Sequence, residues 1–260
     1  MRRMANVNTR IAGSHQRLAT GLRIATAADD AAGLAISERL RARIRSLDQA
    51  RRNAADGVSL VKTGEGALGE VSNMLVRLRE LAIQSSNGTV STTDRETLDT
   101  EFHGLVDEID RIGRSTEFNG VKLFDGSKLS VDVQVGAGTT TEDKLTVALP
   151  RVLAGIYRLD VATIDSVANA SSAIARVDEA ITGISSARGR LGAMNNRLDS
   201  TIRNLADHSE NLSAAESRVR DVDIARESAE LARDQILQQA TISMLAQAHV
   251  QPRLALKLLA

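Results

Sequence analysis

The chain of 260 residues contains no cysteine, no tryptophan, two prolines and four aromatic side chains. Without cysteine it forms no disulfide, offers no thiolate nucleophile and builds no Cys-ligated zinc or iron–sulfur site. Neither sign of charge is in excess, since 33 basic side chains meet 33 acidic ones, and this argues against nucleic-acid binding with its basic footprint. No apolar run reaches the ~18 residues that suggest a membrane span. The opening MRRMANVNTRIAGSHQ lacks the apolar segment of a cleavable signal peptide. The two prolines, Pro150 and Pro252, leave 1–149 and 151–251 free of helix breakers. What is present is Leu, Ile, Val and Ala, a core composition suited to helices packed side by side.

Two heptad ladders confirm that direction. From Leu40, steps of seven reach Leu47, Ala54, Val61, Leu68, Leu75 and Ala82, with Ile36, Ile44, Val58, Leu78 and Leu81 at neighbouring seam positions. At 1.5 Å per residue that stretch is about 65 Å long, a rod rather than a globular helix. The second ladder runs Val177, Ile184, Leu191, Leu198, Leu205, Leu212 and Val219, with Ile174, Ile181 and Ile202 as companions. Its companion line also holds Arg188, Asn195, Ser209 and Glu216, polar residues that set register at a cost in stability. Between the ladders, Leu98, Phe102, Leu105, Ile109 and Ile112 predict a shorter amphipathic helix after the turn SSNGTVSTTD. Residues 118–162 change character, with Asn-Gly, Asp-Gly and Gly-Ala-Gly turns separating alternating runs such as 129–135 and 145–149. The expected fold is mainly α: a long antiparallel coiled-coil or helical bundle rod with a small β-hairpin region at its tip. After 220 the stripe Ala225, Ala229, Ala232, Ile236 and Ala240 buries little by itself and suits a partner on another chain.

Motifs of chemistry are weak. Gly64, Gly66 and Gly69 match G-x-G-x-x-G, but they lie inside the first ladder rather than between strand and helix. His15, His103, His208 and His249 are far apart in sequence, no H-E-x-x-H or G-x-S-x-G exists, and no residue is assigned a catalytic or metal-binding role. Thr26 to Asp29 reads as a capping box for the helix that follows. Three N-x-S/T sequons, at Asn87, Asn169 and Asn211, are expected by chance in a Ser/Thr-rich chain. Neutral overall, the chain carries +7 over 1–52, −7 over 53–150 and zero over 151–260, a division suited to setting register between neighbours. Its 28 Arg against 5 Lys favour forked hydrogen bonds at interfaces.

The stretch LATGLRIATAADDAAGLAISERL, continuing to RELAIQSSNG, resembles the N-terminal conserved region of bacterial flagellin. The end DVDIARESAELARDQILQQATISMLAQAHVQPRLALKLLA resembles the flagellin C-terminal region, so the resemblance covers roughly 17–124 and 165–260. It implies a secreted, extracellular filament subunit, no enzyme and no cofactor. Residues 1–30 and 220–260 would form channel-lining helices, 31–117 and 165–219 the rod, and 118–164 its hairpins. The opening is shorter than the family's usual start and does not match it, so that helix is shortened or diverged. With only 125–164 between the conserved ends, the filament would be thin and smooth.

The partners implied are further copies of the chain in a helical homopolymer, a flagellar export chaperone, filament cap and hook–filament junction proteins, and the host Toll-like receptor 5. Neither nucleic acid nor membrane insertion is expected. Val76, Arg77, Leu78, Glu80, Leu81, Ile83 and Glu108 match the receptor-binding segment. Ile224, Ile236, Leu237, Leu245, Leu256, Leu258 and Leu259 carry the terminal-helix packing, and the last three also resemble the tail read by a cytosolic inflammasome sensor. The alternatives are a hook–filament junction protein and a coiled-coil binding module that forms no filament.

Overall fold

The computed structural model describes residues 2–258, with side chains described through Gln247. Five helices carry most of the chain: α1 (Arg2–Thr20), α2 (Ala31–Ser85), α3 (Thr92–Ser115), α4 (Val167–Arg220) and α5 (Ile224–Leu258). Two hairpins lie between α3 and α4, β1 (Glu117–Phe118) with β2 (Val121–Lys122) and β3 (Ser130–Gln134) with β4 (Lys144–Ala148). Contacts divide the chain into one unit of residues 1–45 and 209–260 and another of 46–208. Both divisions fall inside helices, where no glycine, proline or turn marks them, whereas the boundaries the family resemblance implies fall at the helix ends near 30 and 220.

In the second unit α2, α3 and α4 pack around one aliphatic core. Leu47, Ala54, Val61, Leu68, Leu75 and Ala82 are all buried, as the first ladder predicts, whereas at its start Leu40 and Ile44 are half-buried and Ile36 is exposed. The companion line differs: it is Ala50, Gly57, Gly64, Val71, Leu78 and Ser85, while Val58 is half-buried. Small residues stand there because the hairpins and α4 approach closely. A Cβ on Gly57 would meet Val133 at 3.2 Å and Leu198 at 3.4 Å, and one on Gly64 would meet Phe124 at 3.3 Å and Leu191 at 3.5 Å. The first glycine of the G-x-G-x-x-G string is therefore a seat for Phe124, whereas Gly66 and Gly69 face open space. On α4, Val177, Ile184, Leu191, Leu198 and Leu205 are buried. Arg188 Nε and Asn195 Oδ1, on its polar companion line, are buried without a hydrogen-bond partner.

Helix ends follow local chemistry. Ser91 caps α3 by accepting from the Asp94 N–H at 3.2 Å. The expected Thr26–Asp29 capping box does not start α2. Asp29 Oδ2 instead accepts from the N–H groups of Ala25 and Thr26 at 3.1 and 2.8 Å and closes the preceding turn. Asp30 starts the helix, its Oδ1 taking the Gly33 N–H at 2.9 Å. The first hairpin turns on Asn119 and Gly120 at φ 48° and 76°, the left-handed pair a two-residue loop requires. In the second, Val133 pairs with Leu145 and Val131 with Val147, so one face of the ladder enters the core.

The return segment to α4 is pinned onto α3 by carboxylates. Asp110 Oδ1 accepts the Ala154 N–H at 2.6 Å and Asp99 Oδ1 accepts the Ile164 N–H at 2.7 Å. The buried Ser85 hydroxyl donates to the Ile164 carbonyl. Arg95 donates to the carbonyls of Ser85 and Asn87, each at 2.8 Å, fastening the α2–α3 turn.

In the first unit α1 lies antiparallel to α5. The chain leaves α1 at Gly21, φ 72°, and Arg23 and Val222 exchange backbone hydrogen bonds with Arg220 and Gly21 at 2.7 and 3.0 Å. Ile24, 2% exposed, anchors that crossing above Gly33, where any Cβ would come within 2.6 Å of it.

Candidate functional site

The faces that α1 and α5 turn toward each other both keep heptad spacing. On α1 the line is Met4, Val7, Ile11, Ser14 and Leu18; on α5 it is Glu227, Leu231, Asp234, Gln238, Thr241 and Leu245. The most buried positions of the α5 line are its two acids, Glu227 and Asp234. A buried carboxylate is costly unless paired, and each has an arginine. Arg17 reaches Glu227 Oε1 from Nε and Nη2 at 3.0 and 2.7 Å, and Arg10 Nη2 lies 2.8 Å from Asp234 Oδ1. One step further, Gln238 donates to Asn8 at 2.8 Å. Hydrophobic periodicity misses this seam, because its register is set by ions spaced seven apart on each helix. That spacing is the signal in the sequence that could have revealed it.

Apart from Leu231 and Leu245, the large apolar side chains described on α5 lie outside the seam. Ile224 is 64% exposed, Ile236 66% and Met244 71%, with Leu237 and Ile242 also exposed. The stripe of Ala225, Ala229, Ala232, Ile236 and Ala240 is exposed along its whole length. Leu245 is half-buried on the seam line, while the side chains of Leu256, Leu258 and Leu259 lie outside the described residues, as does that of His249.

The Arg17 hydrogen bond holds the Glu227 carboxyl below the ordinary glutamate value of 4.5. A pKa depressed on folding contributes stability that is fully present above the unfolded value and lost as pH falls through the folded one. Helicity of purified monomer, followed by circular dichroism, should therefore start to fall below about pH 4.5, as the α1–α5 pairing weakens. Glu227→Gln should flatten that acid limb; a variant that titrates like the parent would contradict the assignment.

In the second unit, Val76 and Ile83 stand exposed on α2. Between them Arg77 donates to Glu101 on α3 at 2.8 and 3.0 Å and to Glu80 at 3.2 Å. The Glu101 hydrogen bond, foremost, pushes the Arg77 pKa upward and keeps its charge fixed. Glu108 forms a forked pair with Arg111 at 2.6 and 2.7 Å, which lowers its pKa. Leu78 and Leu81, of the same matched segment, are fully buried. A side chain with no exposed surface offers a partner nothing to touch, so these two support the ridge from beneath and leave the contact set.

Among the described residues, no cluster of three His, Cys, Asp or Glu could hold a metal ion, and no helix is long and apolar enough to cross a membrane. A chain whose ends pair through ions, with apolar side chains facing outward, has the architecture of a helical structural subunit. The profile of the bacterial flagellin N-terminal helical region matches residues 1–129 and that of the C-terminal helical region residues 174–259. The chain belongs to the bacterial flagellin family, which comprises structural proteins of the flagellar filament and not enzymes. It is 51% identical to a flagellin of Halalkalibacterium halodurans over 94% of this chain and 90% of the relative. With a flagellar filament core protein of Brachyspira hyodysenteriae it shares 41% identity over 93% and 90%. The crystal structure of Bacillus cereus flagellin shares 34% identity and superposes with a TM-score of 0.53, over 64% of this chain and 94% of that one. The N-terminal match begins at residue 1, although the resemblance by motif begins near 17. A helix that only has to keep a heptad line tolerates many residues, so α1 can keep its pairing without keeping the family's letters.

Proposed function

We propose that copies of this chain pack through α1 and α5 into the extracellular flagellar filament, with 1–30 and 220–260 around its channel. In this reading 31–117 and 165–219 form the surrounding rods, and 118–164 their hairpins. One observation carries it: the apolar side chains Ile224, Ile236, Leu237, Ile242 and Met244 are exposed while Glu227 and Asp234 of the same helix are buried. Exposed apolar patches on a monomer mark protein–protein contact. Electron microscopy of concentrated, seeded protein tests this. Wild type should form filaments and Ile236→Glu should form none, since a carboxylate placed in a dry contact costs several kcal/mol. Filaments of Ile236→Glu equal to wild type would refute the assignment of this face.

The same reading supplies the remaining partners. The subunit travels through the flagellar type III apparatus as an unfolded thread, its C-terminal segment guarded by an export chaperone. It then meets the cap and hook–filament junction proteins. Host Toll-like receptor 5 recognises the monomer through Val76, Arg77, Glu80 and Ile83, exposed apolar and charged side chains of the kind interfaces favour, together with the half-buried Glu108 of α3. Arg77→Ala should lower reporter-cell activation by monomer roughly tenfold, the loss typical of an arginine contact. Unchanged activation would remove Arg77 from the receptor surface.

A further inference from the structure

The ion ladder between α1 and α5 has a third rung that is not filled. Arg3, Arg10 and Arg17 recur every seven residues, and opposite them stand Thr241, Asp234 and Glu227 at the same spacing in the opposite direction. The last two arginines hold carboxylates at 2.8 and 2.7 Å. Arg3 meets none among the described residues. The Thr241 hydroxyl is turned back onto its own helix, donating to the Leu237 carbonyl at 2.6 Å. Where the third pair would close, the helices leave an open cavity of about 640 Å³, walled by Arg3, Asn6, Val7, Thr9, Arg10, Leu237 and Thr241. It is thus a cationic pocket with two apolar side chains in its wall, the buried Val7 and the exposed Leu237.

We infer that this pocket receives an acidic side chain of a second copy, so that the third rung closes between subunits rather than within one. This deepens the filament reading and rests on it. Charge complementarity selects the occupant. Residues 1–45 and 209–260 hold 15 basic and 10 acidic side chains, and residues 46–208 hold 18 and 23, so a second copy presents the acid this unit lacks. Leu237 continues the pocket onto the exposed apolar surface of α5 that the same copy would cover, which excludes water from the ion pair and strengthens it. The empty rung also has a consequence for the lone chain. A glutamate at 241 would complete the ladder internally and remove the vacancy a neighbour uses.

Two variants test this against wild type, with polymerisation read as critical concentration at low and at raised salt. Arg3→Gln should keep the monomer's helicity, raise the critical concentration about tenfold and reduce its salt dependence, as expected for loss of a charge pair across an interface. Thr241→Glu should sharpen the monomer's thermal transition yet raise the critical concentration by a similar factor, because the rung is then closed in cis. If Arg3→Gln polymerises within about twofold of wild type, or Thr241→Glu assembles as readily as wild type, the inference is overturned while the filament reading stands. Wild type that forms no filaments, even when seeded, overturns the filament reading and this inference with it.

Discussion

Gly113→Ala should cost about 3 kcal/mol of stability or prevent the second unit from folding, at the upper end of what overpacking does. A Cβ at this position would stand 2.0 Å from the carbonyl oxygen of Val152 and 3.1 Å from its carbonyl carbon. Those are main-chain atoms, and they cannot swing away as a side chain would. The Val152 N–H is bonded to the Phe124 carbonyl at 3.0 Å, and two residues on Asp110 clamps the Ala154 N–H, so the return segment is held on both sides of the clash. The same substitution has the opposite sign where nothing is near. Gly66→Ala and Gly69→Ala, on α2 with no atom within 4 Å of the new methyl, should each stabilise by up to about 1 kcal/mol through helix propensity alone. Urea denaturation of the three variants measures the contrast, and a Gly113→Ala protein as stable as the parent would show that the approach of Val152 is not as described.

Leu81→Ala should destabilise the second unit by about 3 kcal/mol, the middle of the range for a leucine removed from a packed core. Leu81 is fully buried on α2 with Leu78, in the core that contains Phe102 and Val106 of α3. The receptor response separates support from contact. If Leu81 only holds up the ridge, activation per folded molecule should be nearly that of wild type at low temperature and fall as the variant melts. An Arg77→Ala monomer should instead lose activation while remaining folded. Stability indistinguishable from wild type in Leu81→Ala would overturn its placement in the core.

Much of the architecture follows from residue order alone. The ladder from Leu47 to Ala82 and that from Val177 to Leu205 are buried position by position, because a seven-residue apolar repeat on an unbroken helix leaves few other solutions. The hairpins fall at Asn119-Gly120 and in the alternating runs around 130–134 and 144–148, where turn chemistry and a period of two coincide. The flagellin resemblance is carried by the residues of α2 and α5 themselves.

Other features depended on what stands opposite. Periodicity says which residues share a face and is silent on what that face meets. On α5 the alanine stripe and the line Glu227–Asp234 are both periodic, yet only the arginines of α1, more than two hundred residues away, make the charged line the buried one. Gly113 and Gly64 look in sequence like weak points of helices, and the approach of Val152 and Phe124 makes them the places where only glycine fits. Leu81 stands both at a seam position of the first ladder and in the matched receptor segment, and its burial in the core decides for the seam. The sequence by itself determined the helices, the hairpins and the family, since these follow from local propensity and repeat. The tertiary structure decided which faces are buried and where a partner's charge is wanted, because burial and pairing belong to two segments at once and neither carries them alone.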